Sequence, residues 1–199
     1  MPQILKREIK EKILSSALDC FLEKGFRSAS MREIAQTAGI AAGNIYNYFK
    51  NKEEVFSTLI EPVLREVTAI FGVGTDDLPM LNMADGLGIS GRKMDAFIDL
   101  YQKNRSVFML LFEKSDSTKF ETTKADVIES LTKAILDVKN TFSPNPATPQ
   151  QEVLIRAFAT ATISGIISIL TAAQDEAVKL AALHRFLPFM RSKLTDNLR

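Results

Sequence analysis

The chain has 199 residues, enough for one large domain or for a small module joined to a larger one. With 46% hydrophobic and 25% charged residues it has the composition of a globular protein, and a single Cys and a single His exclude an internal disulfide and a Cys/His zinc site. The net charge of +1 conceals an asymmetry: residues 1–52 carry nine Lys and Arg against five acids, and the remainder carries 16 against 19, as in a small anion-binding module on a mildly acidic body.

The first residues lack an apolar run long enough for a signal peptide, so a cytoplasmic protein is expected. Over residues 6–24 two apolar rows repeat every four residues, Ile9-Ile13-Ala17-Phe21 and Leu14-Leu18-Leu22, which predicts an amphipathic helix stopped by Gly25. Ser30-Met31-Arg32-Glu33 reads as a capping box opening a short second helix that ends at Gly39. A third short helix is predicted over residues 41–49. Asn51-Lys52-Glu53-Glu54 then caps a long fourth helix reaching about Phe71.

Two short helices joined by a Gly turn make a helix-turn-helix pattern. At about 100° per residue, Ile45 and Phe49 point to the core and leave Gly43, Asn44, Tyr46 and Asn47 outward. That face offers amides, a phenol and bare backbone, groups that can approach base edges or phosphates.

The same residues carry a resemblance. Ile13-Leu14, Ala17, Phe21, Lys24-Gly25-Phe26, Ser30-Met31-Arg32-Glu33-Ile34-Ala35, Ala38-Gly39-Ile40 and the unbroken run from Gly43 to Glu53 resemble the DNA-binding domain of the tetracycline-repressor (TetR/AcrR) family. The match covers about a quarter of the chain. It departs at Ala41-Ala42, where members often carry a polar or basic residue. The resemblance implies a homodimeric transcription factor, usually a repressor, whose larger C-terminal domain binds a small molecule and thereby releases a double-stranded DNA operator. Carried onto this sequence, it implies phosphate contacts from Ser30 and Lys52 and backbone contacts from Tyr46 and Tyr48. Gly43, Asn44 and Asn47 then lie along base edges, with Met31 and Ala42 beside them. No cofactor is implied.

Beyond residue 71 the text loosens, and Gly86-Leu87-Gly88-Ile89-Ser90-Gly91 spells a dinucleotide fingerprint without the strand it requires, so a mobile connection is expected over residues 72–91. Met94, Phe97, Ile98 and Tyr101 form the next helical stripe, and Val107 to Phe112 is apolar almost all round, as in a buried central helix. A helix over residues 120–142 precedes a linker with Pro144, Pro146 and Pro149, and Thr148-Pro149-Gln150-Gln151 is both a proline-at-N1 start and a capping box.

Residues 157–172 lack charge, yet their five hydroxyl residues favour a buried helix over a membrane span. Ala157-Ala161-Gly165 and Ser164-Ser168-Ala172 form two small-residue rows, and a last helix over residues 175–198 presents Leu180, Leu183 and Leu187, with Pro188 expected to kink it. Two such helices from each of two chains predict a four-helix dimer interface that includes Ala157, Ala161, Ser164, Gly165, Ser168, Leu180, His184 and Leu187. The alternative is that the small residues face the protomer's own core. Polar groups within apolar stripes mark a candidate ligand site: Tyr101, Asn104, Arg105 and Thr162, lined by Phe108, Met109, Phe112 and Phe158.

The expected architecture is therefore all-α: a three-helix helix-turn-helix domain over residues 1–52 and a helical ligand-binding and dimerisation domain over residues 53–199. The expected function is a ligand-responsive, DNA-binding, non-enzymatic regulator. The competing classes are a DNA-processing enzyme and a constitutive architectural DNA binder. The first lacks a recognisable nucleophile or carboxylate cluster, and the second needs no large additional domain.

Overall fold

A computed structural model describes residues 3–71, 91–143 and 145–198. Among these the chain is helical without a strand: α1 (Gln3–Ser28), α2 (Met31–Thr37), a 3₁₀ turn (Asn44–Asn47), α3 (Lys52–Phe71), α4 (Gly91–Lys103), α5 (Arg105–Glu113), α6 (Thr123–Phe142), α7 (Pro149–Thr171) and α8 (Glu176–Leu198). The connection expected over residues 72–91 lies, up to residue 90, outside the described residues.

The chain divides into two compact units. The first joins residues 1–66 to residues 100–121, and the second joins residues 67–99 to residues 122–199. The boundary expected after residue 52 would follow the first residue of α3, and α3 belongs to the first unit as far as Glu66.

In the first unit the expected apolar row becomes the core: Ile13, Ala17 and Phe21 are fully buried, and Leu14, Leu18 and Leu22 flank them. Gly25 has φ 75°, ψ 165°, so the helix breaks there and resumes for one short turn. Ser30 closes the predicted capping box: its hydroxyl accepts from the Glu33 amide, and the Glu33 carboxylate accepts from the Ser30 amide. Gly39, at φ 68°, ends α2 in a Schellman motif, its amide donating to Gln36 and that of Ile40 donating to Ala35. Asn51 caps α3 as predicted, accepting from the Glu54 amide at 2.8 Å.

The third helix is shorter than the sequence predicts. Residues 44–47 make a single 3₁₀ turn, preceded by a turn at Ala42-Gly43. Within the turn only Ile45 is buried, and beyond it Phe49 is buried and Tyr48 packs half-buried against the same core, so few side chains are available to hold a longer helix.

The segment after α4 completes this unit. Leu110, Leu111 and Phe120 join the core built by α1, α2 and α3, and Phe120 precedes α6 rather than starting it. Phe56 sits between the rings of Phe21, Phe26 and Phe120 at 5.2, 5.1 and 5.9 Å. The loop is pinned at its surface as well: Arg27 donates to the Ser117 hydroxyl at 2.7 Å, and Lys119 pairs with Glu61 at 2.6 Å.

An ion pair of 2.9 Å ties Lys24 of α1 to Glu33 of α2. The hydrogen bond from Lys24, and then that from Ser30, hold the Glu33 carboxyl below its ordinary range. A lowered carboxylate stabilises the fold above its unfolded pKa of about 4.3 and ceases to do so as pH falls through the folded value. Melting temperatures of the wild type and Glu33→Gln should therefore differ at neutral pH and converge as pH falls from the unfolded pKa of about 4.3 through the lower folded value.

In the second unit α7 opens on the predicted box, Thr148 accepting from the Gln151 amide and the Gln151 side chain from Thr148. α7 packs against α6 and α8, yet only Ile155, Ala159, Thr162 and Leu170 along it are buried. The buried helix expected over residues 157–172 is thus largely uncovered within one chain, although α7 has the length and, at a mean hydropathy of 1.9, the composition to cross a membrane. Pro188 lies inside α8 without ending it.

Candidate nucleic-acid interface

The outward face exists as the geometry requires. Ile45 and Phe49 are buried, while Ala42, Gly43, Asn44, Tyr46 and Asn47 are exposed, Tyr46 to 56%. A rigid base supports it, because the Asn44 amide donates to Ala41 and the Phe49 amide to Ile45, fixing the turn from both ends. An exposed phenol and two carboxamides on a core-anchored turn are donors and acceptors that can meet base edges without first ordering a loop.

Four expected contacts look different in the structure. Met31 is 9% exposed and packs in the core, so it belongs to the support of the face. Tyr48 is half-buried with its ring against the same core. The Ser30 hydroxyl is already engaged with Glu33, as acceptor from the amide and donor to the carboxylate at 2.8 Å.

Lys52 is the clearest departure. Its ammonium donates to the backbone carbonyls of Phe26 at 2.6 Å, Arg27 at 3.2 Å and Ala29 at 2.8 Å, and stands 4.5 Å from the Phe26 ring centroid. Helix ends leave carbonyls unpaired, and a cation there satisfies them and opposes the negative end of the dipole. With its three donors spent on the end of α1, Lys52 closes the helix rather than reaching out to a phosphate.

Sequence reasoning missed the cations that do flank the face. Lys6, Arg7 and Lys10 of α1 line an open groove of about 350 Å³ together with Asn47 and Tyr48. The positive excess of the N-terminal segment was the available signal, but only the packing of α1 against the turn locates it.

The residues expected around a small molecule divide between the units. Tyr101, Asn104, Arg105, Phe108, Met109 and Phe112 fall in the first, and Phe158 and Thr162 in the second. Tyr101 is buried with its ring edge-on to Phe108, the Asn104 side chain donates to Leu100 at 3.0 Å, and Arg105 is exposed. Phe112 packs on the N-terminal core, where α5 meets α1, and Phe158 packs on Ile135 and Ile155. Thr162 is buried and returns its hydroxyl to the Phe158 carbonyl at 2.9 Å.

Of the residues expected at a dimer interface, Ala157, Ala161, Ser168 and His184 are exposed, and Ser164 and Leu180 are half-buried. Gly165 and Leu187 are used inside the chain. A Cβ on Gly165 would meet the Phe186 ring, and Leu187 is 8% exposed.

Residues 13–59 match the family described as bacterial regulatory proteins, tetR family. Over 55 residues the chain is 42% identical to the transcriptional regulator AcrR of Shigella flexneri, covering 28% of this chain and 26% of that protein. Over 57 residues it is 35% identical to the transcriptional repressor KstR2 of Mycolicibacterium smegmatis, covering 29% and 26%. The similarity thus spans under a third of these relatives' length. Along nearly the whole chain the fold is similar to that of MexZ, a repressor from Pseudomonas aeruginosa. That comparison gives a TM-score of 0.66 and 22% identity over 97% of this chain and 96% of that one. A TetR-family member from Streptomyces coelicolor gives a TM-score of 0.66 at 18% identity over 90% and 89%.

Proposed function

From a chain that belongs to the TetR family of bacterial regulators, we infer a transcriptional repressor that binds an inverted-repeat operator as a homodimer and is released by a small molecule. The observation that carries the DNA-binding part is the exposed polar face of Gly43, Asn44, Tyr46 and Asn47 over a fully buried Ile45. The repressor sense draws on relatives named as repressors.

The dimer is supported by what one chain leaves uncovered. Val153 and Leu154 of α7 and Val178 and Phe189 of α8 are large exposed apolar residues, and Ala157, Ala161 and Ser168 keep the α7 surface between them shallow. Apolar area of this kind marks an interface in a protein free of bilayer contacts, and α7 and α8 from two chains make a four-helix contact. A cytoplasmic location follows from a DNA target.

Selection from a random duplex library tests the reading. An inverted repeat with adenines in each half-site should be enriched, since Asn can pair bidentately with adenine N6 and N7. Asn47→Ala should then cost about 1–3 kcal/mol on the selected site and little on unrelated duplex. Enrichment of no sequence, or an unchanged preference in Asn47→Ala, rejects the proposed reading face. For the effector, a metabolite library should contain a compound that raises the melting temperature and weakens operator binding, typically by about 5- to 150-fold.

A further inference from the structure

We propose that the first turns of α1 form, with the end of the 44–47 turn, a seat for one DNA backbone phosphate, held by Lys6 and Lys10 with Arg7 beside them. The proposal rests on the DNA-binding reading and adds to it a contact that fixes the register of the turn on the duplex.

Three observations carry it. The first is the groove itself, which brings together two parts of the chain far apart in sequence and has no acid among its lining residues, Lys6, Arg7, Lys10, Asn47 and Tyr48. Lys6 and Lys10 are one helical turn apart, so their ammonium groups share a face, and both are exposed.

The second is that one of the cations is held beside the turn. The Lys10 ammonium stands 5.3 Å from the ring centroid of Phe49, whose side chain is buried directly after the turn. Arg7 is steadied by Glu11, its Nε donating at 2.9 Å. Lys6 and Lys10 form no ion pair with a described residue, which leaves their charge available to an anion.

The third is position. Asn47 belongs both to the exposed reading face and to the wall of the groove. A duplex whose bases meet that face carries its sugar-phosphate strand past the same residue. Lysines, a carboxamide and a phenol are donors to phosphate oxygens, and such contacts position a protein without reading sequence.

The test compares full-length wild type, Lys6→Ala/Lys10→Ala and a charge-matched control, Lys12→Ala/Lys133→Ala. The control changes two exposed lysines of α1 and α6 that do not line the groove. Affinity is measured against salt for the selected duplex and an unrelated duplex, after equal helicity and melting temperature are verified. Each phosphate contact contributes about 0.9 to the slope of log K against log salt, so the groove variant, having lost one phosphate, should lose about 0.9 per bound subunit. It should weaken on both duplexes by the same factor, with the control unchanged. An unchanged slope in the groove variant, or an equal loss in the control, overturns the proposal while leaving DNA binding intact. Failure of the wild type to bind either duplex overturns both.

Discussion

Phe56→Ala is expected to destabilise the first unit by about 3–5 kcal/mol, the range for truncating a fully buried aromatic residue. Phe56 is 0% exposed and lies within 6 Å, ring centre to ring centre, of Phe21, Phe26 and Phe120. Its loss leaves a cavity whose walls come from α1, α3 and the loop that follows α5, three segments that cannot all move inward together. A loss of that size is a large part of the 5–15 kcal/mol by which a domain is normally stable. Chemical denaturation should show an early transition. Hydrogen exchange should show protection falling together over residues 13–63 and 108–120, because the segment ending in Phe120 is part of this unit. Retention of protection over residues 108–120 while residues 13–63 open would mean that the segment folds independently of α1 and α3. A cost below about 1 kcal/mol would contradict the packing around Phe56 outright.

Lys52→Met should cost about 2 kcal/mol of stability and leave the salt dependence of DNA binding unchanged. The substitution keeps the apolar stem but removes three hydrogen bonds to Phe26, Arg27 and Ala29 carbonyls and a cation over the Phe26 ring. Charged hydrogen bonds are worth about 1.5–3 kcal/mol each when buried, and the half-exposure of Lys52 reduces their sum because water replaces part of what is lost. The opposite result is as definite. Unaltered stability with a salt slope flattened by about 0.9 per subunit would return Lys52 to the role of phosphate ligand that the family resemblance implies. Both quantities come from the same purified variant, so the two roles are separated without reference to the operator sequence.

The two lysine experiments share a cause. Lys6 and Lys10 lie on the polar side of the first turns of the α1 pattern, outside the matched residues 13–59, whereas Lys52 sits in a strong cap motif inside that match. From the sequence, Lys52 is the obvious DNA ligand. In three dimensions the carbonyls closing α1 lie over the start of α3, and the nearest cation is drawn inward to them.

Interactions spanning three or four residues made much of the fold legible. The α1 stripe, the capping boxes at Ser30 and Thr148, the cap at Asn51, the stop at Gly39 and the outward face of residues 43–47 all depend on near neighbours, whose geometry helical periodicity fixes. Tertiary structure decided what joins distant residues. It set the place of Phe120 and Leu110 in the N-terminal core, the capture of Lys52 by carbonyls 23 to 26 residues away, and the meeting of Lys10 with Phe49. It also shortened the third helix to one turn and turned Gly165 towards Phe186. A helix face states that a residue will be buried or exposed, but not against which partner. That choice belongs to packing, in which side chains remote in sequence compete for the same space and the same unpaired backbone groups.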